Sequence, residues 1–232
     1  MMGRVIVGLA LLVWLLSFVY AQPSPVKAEG FGPFPVRNFQ PFQQLVLTVP
    51  GDRAAVVKQG TVDVRLELAE TASIYNDHSP PMNVTVKFET LRSGLFLRYG
   101  ATDRLELGLE VPVLYRYEGF MNGAITGVER ATTGLNPARA ALQNTSYVFN
   151  VTRNGQTIMN GGTGATGLGD TTLMSKFQLL KEGAATPAVS LRGAVKLPTG
   201  DQSAFFGSGS PDFGLGLAVE KLVASRWILY SN

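Results

Sequence analysis

Residues Leu105-Glu-Leu-Gly-Leu-Glu-Val-Pro-Val-Leu-Tyr-Arg-Tyr117 alternate apolar and polar side chains with a period of two. Leu105, Leu107, Leu109, Val111, Val113, Tyr115 and Tyr117 share one face; Arg104, Glu106, Gly108, Glu110 and Arg116 share the other. Successive strand side chains point to opposite sides, so this stretch reads as a strand with an aromatic-ended apolar face and a charged face.

The same period extends in both directions. Upstream, Val62, Val64, Leu66 and Leu68 alternate with Asp63, Arg65 and Glu67 until the pattern breaks at Glu70, where the strand leaves its apolar layer or bulges. Next, Val84, Val86 and Phe88 alternate with Thr85, Lys87 and Glu89, but Leu95, Leu97 and Tyr99 continue on odd numbers, which predicts a bulge near Arg92-Ser93-Gly94. Downstream, three segments repeat the pattern around Leu173 to Leu179, Val189 to Leu197 and Phe213 to Val219, with Arg192, Lys196, Asp212 and Glu220 on their polar faces. A seventh begins at Trp227 and the sequence stops at Asn232.

The connections fall at Asn76 to Pro81, Gly100 to Asp103, Glu118 to Gly167, Lys181 to Thr186, Gly200 to Pro211 and Leu222 to Arg226. Every second one is tight, and two of the other three are long, which is the loop asymmetry of outer-membrane barrels. With the first strand running outward, Tyr75, Tyr115 and Tyr117 approach the outer interface, and Tyr99 and Trp227 the inner one. The expected fold is therefore all-β, an antiparallel transmembrane β-barrel of about six strands plus the start of a seventh, spanning residues 60–232. An ordinary single-chain barrel has at least eight strands, so the sequence reads as a truncated one. A secreted β-sandwich also alternates and is the competing architecture.

Composition narrows the class. Charged residues are 16% and glycines number 26, which suits strands and turns over a helical bundle. A net charge of +3 is too small to argue for nucleic acid. Without cysteine there is no disulfide, thiolate metal site, Cys nucleophile or N-terminal lipid-modified Cys. Arg4 followed by the apolar run Val5 to Tyr20 reads as a signal peptide over residues 1–21, cut before Gln22 or, second, after Ala28; a retained anchor helix is the alternative. Residues 22–59, rich in Pro and Gln, read as a periplasmic lead-in or a segment in the barrel mouth, with a short strand possible within Gln43 to Pro50.

Motifs for chemistry are sparse. Gly162-Thr-Gly-Ala-Thr-Gly167 has GxGxxG spacing, but it leads into a strand with no helix after it, so it reads as a flexible loop. His78, the sole histidine, lies among Asn76, Asp77, Ser79, Pro80 and Pro81, ordinary turn formers. One imidazole is too few for a common metal site, and no cofactor or catalytic residue is expected. The inward charges Arg104, Glu106, Glu110, Arg116, Arg192, Lys196, Asp212 and Glu220 are the functional candidates: they pair and fill the lumen, or they line a polar path.

Glu70-Thr-Ala-Ser-Ile-Tyr-Asn76, Tyr99-Gly-Ala-Thr-Asp-Arg-Leu-Glu-Leu-Gly108, Gly167-Leu-Gly-Asp170 and Lys196-Leu-Pro-Thr-Gly-Asp201, with Pro35-Val-Arg-Asn38 and Pro41, resemble a family of proteobacterial outer-membrane barrels of unknown function. That family is similar to a larger group of transporters associated with the phenol meta-cleavage pathway, which share the last two motifs. The resemblance covers Pro35 to the end. It implies a barrel in the outer membrane of a Gram-negative bacterium, passing small-molecule solutes and inserted by the barrel-assembly machinery; it carries no catalytic residues. The expected function is a passive channel and not an enzyme. The alternative is a non-conducting structural or binding barrel acting through the Glu118 to Gly167 loop.

Overall fold

The computed structural model describes residues 32–33, 36–223 and 227–232. The expected leader, both cleavage sites, Pro35 and part of the last turn lie outside the described residues. The chain is all-β: 53% strand against 10% helix, in an antiparallel sheet curled into a half-barrel.

The wall is built from β1 (Val62–Ser79), β2 (Met82–Gly100), β3 (Leu105–Tyr117), β6 (Ala165–Leu168) followed by β7 (Thr171–Leu180), β8 (Ala188–Leu197), β9 (Asp212–Val223) and β10 (Trp227–Ser231). Between β3 and β6 the chain forms α1 (Met121–Ala131), α2 (Pro137–Ala141) and a hairpin of β4 (Val148–Arg153) and β5 (Gln156–Asn160). The wall order is β1-β2-β3-β7-β8-β9-β10, with β4 pairing the start of β2 and β6 pairing the end of β3. β6 and β7 act as one strand with a break at Gly169-Asp170. There two residues of β3, Val111 and Pro112, face three of the neighbour. Pro112 has no N–H to give, and it occupies the place where the partner strand is interrupted.

The register corrects the expected bulge in β2. Pairing with β1 runs without a shift from Val62↔Tyr99 to Ser79↔Met82. The change of phase is chemical: Val86 and Phe88 lie on the same face as Arg92 and Phe96, and all four are buried. Near the start of β2 that concave face is apolar, with Val86, Phe88, Phe149, Val151 and Phe205 in one cluster. On the opposite face Lys87 and Glu89 are covered by the connection after β3: the Lys87 ammonium donates to Leu142 O, and Glu89 takes the N–H groups of Phe120, Met121 and Asn122. The apolar band of β1 therefore ends at Glu70 without a bulge.

Three further expectations change. Residues Glu118 to Gly167 are structured, because Glu89 supplies the missing cap of α1 and Asn136 caps α2 through Ala138 N. Gly119 makes the first of these possible: at φ +80° any Cβ there would fall on the Glu89 carboxyl. The last part of the GxGxxG segment is strand β6. In the lead-in, Gln43–Leu45 form a single 3-10 turn, and no strand lies among the described residues from Gln43 to Pro50.

Candidate functional site

Residues 32–33 and 36–59 run along the concave face of the half-barrel as the two arms of a hairpin. Gly32 lies against Arg53, and Pro33 against Gly51. The ascending arm passes Arg92 with Phe39 and reaches Ala72 O with Gln40. Phe42 at the top meets Tyr75 and Phe205, with ring centroids 6.0 and 5.6 Å apart. The descending arm follows β9 inward, from Leu47 N on Asp212 (2.9 Å) to Ala54 N on Glu220 (3.1 Å). It leaves at Gln59, paired with Gly100. A side chain at Gly100 would strike the carbonyls of Val57 and Lys58, so the missing Cβ lets the arm exit against β2.

Ion pairs add to these polar contacts between hairpin and wall. Glu110 accepts two bonds from Arg37, at 2.6 and 2.9 Å, and is also paired with Arg92. Arg92 reaches Glu67 at 3.0 Å. Asp52 pairs with Lys176 at 2.9 Å and Arg98 at 3.3 Å, and Lys176 reaches Glu106 at 3.3 Å. Arg53 pairs with Glu220 at 2.8 Å. Lys196 meets Asp212 at 2.6 Å, Asp170 at 3.6 Å and the Leu45 carbonyl.

Of the residues predicted from sequence, Glu106, Glu110, Arg116, Arg192, Lys196 and Glu220 are buried on the concave face, and Asp212 joins them through Lys196. Arg192 reaches Asn232 Oδ1 at 3.3 Å. Arg104 does not belong with them: it is exposed and precedes β3, in the turn where Thr102 Oγ1 takes its N–H. Tyr75 is another correction, because it faces the hairpin and not an outer girdle. Tyr115 and Tyr117 do stack on the convex side, with centroids 5.1 Å apart.

Sequence reasoning missed Arg37, Asp52 and Arg53 on the hairpin and Arg92, Arg98, Asp170 and Lys176 on the wall. Lys176 was findable, since it continues the polar phase of β7. The hairpin charges were not, because the lead-in has no period to assign a face. The Gly167–Asp170 and Lys196–Asp201 stretches meet: Asp170 accepts from Gly200 N (3.1 Å), Ser208 N (2.8 Å) and Ser208 Oγ (2.9 Å). This folds residues 198–211 inward, and Arg116 donates to the carbonyls of Ala204 and Phe205.

The opposite, convex face is apolar and exposed. Leu215 is 84% exposed, Phe213 77% and Trp227 71%, and Leu66, Leu95, Leu107, Leu173 and Leu191 continue the layer. Among the described residues no second sheet covers it. His78 and Ser79 sit at the β1–β2 turn, where the hydroxyl of Ser79 donates to Asp77 and the ring of His78 meets Asn76. Among the described residues no group of acidic or histidine side chains is placed to hold a metal ion.

These features define a class: a strand-rich half-barrel with its charges buried on the concave side and its apolar residues exposed on the convex side. The chain belongs to the family described as "Protein of unknown function (DUF3187)", whose sequence profile matches residues 9–232. No curated protein and no solved structure matches it.

Proposed function

We propose that this chain is an outer-membrane β-barrel protein of a Gram-negative bacterium, acting as a passive channel for small molecules. The observation that carries the reading is the inverted polarity of the sheet: leucines, Phe213 and Trp227 face outward while arginines and glutamates are buried. A water-soluble sheet would hide the first set and expose the second. Lipid makes the opposite demand, because an apolar band must face hydrocarbon and polar residues the lumen. No described helix is long and apolar enough to cross a membrane, a criterion that does not bear on strands. The likeness of Gly167 to Asp170 and Lys196 to Asp201 to the transporter group supports solute passage.

The test is conductance of the full chain recovered from outer membranes and placed in planar bilayers, after heat-dependent gel mobility has been checked. Discrete steps that change on replacing Glu110 or Arg192 are expected. A second reading, the non-conducting binding barrel, is favoured by one observation: residues 36–59 lie along the concave face, while the ordered connection after β3 exposes Phe120, Val128 and Ile158. That reading requires silence in the bilayer, even with residues 32–58 deleted, and loss of a partner when residues 119–163 are removed.

A further inference from the structure

Arg116 is a buried cation of the concave face that the ion pairs among the described residues leave out. It is 2% exposed, and among the described residues its guanidinium has no carboxylate partner. Instead it lies over the rings of Phe206 (4.3 Å), Phe149 (5.3 Å) and Phe88 (5.7 Å) and donates to two carbonyls of the 198–211 loop. A buried charge without a counter-ion is costly, and rings and carbonyl dipoles offset it only in part.

Three polar groups beside it are also unsatisfied. The Nε of Arg116 itself, the Thr90 hydroxyl and the Tyr147 hydroxyl are buried without a hydrogen-bond partner among the described residues. Thr90 stands directly opposite Arg116 in the β2–β3 register, and Tyr147 stacks on Phe88 at 5.7 Å. Buried donors in native proteins are nearly always used, so several together at one cation call for an acceptor the chain does not supply. The carbonyls now on Arg116 come from a strained segment: Phe205, a bulky residue, has φ +61°, a conformation held by its surroundings.

We propose that Arg116, Thr90 and Tyr147 form a recognition site for the carboxylate of a small organic acid at the outer end of the lumen. The planar guanidinium matches a carboxylate in two-pronged fashion, and Phe88, Phe149 and Phe206 take the apolar body. In this structure the Ala204 and Phe205 carbonyls stand where the carboxylate oxygens would be, and ligand entry displaces that loop segment and releases its strain. The inference deepens the proposed function and rests on its assignment of the concave face to solutes.

The experiment is calorimetric titration of the full-length chain in detergent micelles with hexanoate, with hexan-1-ol and hexylamine as neutral and cationic controls. Hexanoate is expected to bind saturably and the controls not at all. Arg116→Met should weaken binding at least tenfold. Thr90→Val and Tyr147→Phe remove hydroxyls that have no hydrogen-bond partner among the described residues; each should weaken binding several-fold while leaving the unfolding midpoint in place. Absence of hexanoate binding to the parent chain, equal binding of hexylamine, or unchanged affinity in all three variants would overturn the proposal. Steps in the bilayer without hexanoate binding would sink this inference and spare the channel. Binding without steps would keep the site and sink the channel.

Discussion

Replacing Leu215 by Arg separates the lipid-facing reading of the convex surface from every soluble alternative. Leu215 is 84% exposed and lies within the apolar run of β9, between Phe213 and Leu217. Its cross-strand partner is Gly193, and Ser175 follows on β7, so an introduced guanidinium meets no carboxylate there. If the face lies in water, a substitution at so exposed a position changes stability by no more than about 0.5 kcal/mol. If it lies in hydrocarbon, Arg on a barrel's lipid face costs about 2–4 kcal/mol at the midplane, falling to about 0–1 kcal/mol near the interfaces. For a residue well inside its band the expected cost is about 2–3 kcal/mol, a factor of roughly 30 to 150 in the folding equilibrium. The assay is urea unfolding from phospholipid vesicles, followed by the emission of Trp227, which sits on the same face. Val128→Arg, on the exposed side of α1, is the control and should cost less than about 0.5 kcal/mol. Equal stability of Leu215→Arg, Val128→Arg and the parent would place the convex face in water and refute the membrane reading.

Glu110→Gln leaves the buried guanidiniums of Arg37 and Arg92 sharing a neutral amide, and breaking a buried pair costs about 3–5 kcal/mol. The expected result is a lowered urea midpoint with faster trypsin cleavage within residues 37–58; unchanged protection would mean the hairpin is held elsewhere. Gly119→Ala sets a Cβ on the Glu89 carboxyl at a backbone φ of +80°, so it should destabilise by more than about 1 kcal/mol and speed amide exchange at residues 120–122. Exchange there as slow as in the parent chain would refute the capping role of Glu89. Glu129 is held below its ordinary 4.5 by the Asn136 N–H, against a burial penalty, with the Arg139 guanidinium adding to the effect. Because the folded pKa is depressed, this support is complete above the unfolded value and is lost as pH falls through the lower folded one. Amide exchange of residues 121–142, corrected for intrinsic rates, should therefore accelerate as pH falls from about 5 towards 3. Glu129→Gln should remove that dependence, and its persistence would place the titration elsewhere.

The wall was legible where each face is uniform in chemistry. β3, β8 and β9 keep an apolar convex face over most of their length, so period two puts Glu106, Glu110, Arg192, Lys196 and Glu220 together on the other face, where all five are buried. β2 misled because its concave face changes from Val86 and Phe88 to Arg92 and Arg98, while its convex face changes the other way. A pattern read from hydrophobicity alone must interpret that exchange as a slip of register. Tyr75 failed for a related reason: whether an aromatic faces lipid or a plug cannot be told from its place in the strand. The connection from Glu118 to Gly167 hid its helices because α1 borrows its cap from Glu89, some thirty positions away in another strand. Local sequence carries no record of such a partner.

The hairpin charges raise the question of whether residues 32–59 are a fixed core or a removable one, and the pairing pattern bears on it. If the hairpin left, Arg37, Asp52 and Arg53 would enter water, where ionic groups are cheap. The wall would still hold Glu110 against Arg92, Lys176 against Glu106 and Asp212 against Lys196, because these contacts do not involve the hairpin. Arg98 would keep Asp63 at 3.4 Å. Glu220 is the exception, since its bonds come from Arg53 and from the Ala54 N–H. A core that only filled space would have no reason to leave its container so nearly self-paired. The wall instead meets most of its own electrostatic needs, which makes withdrawal of the hairpin costly at one carboxylate and tolerable at the others. Withdrawal of the hairpin would therefore begin at its ascending arm, around Arg37 and Glu110, and finish where Arg53 releases Glu220.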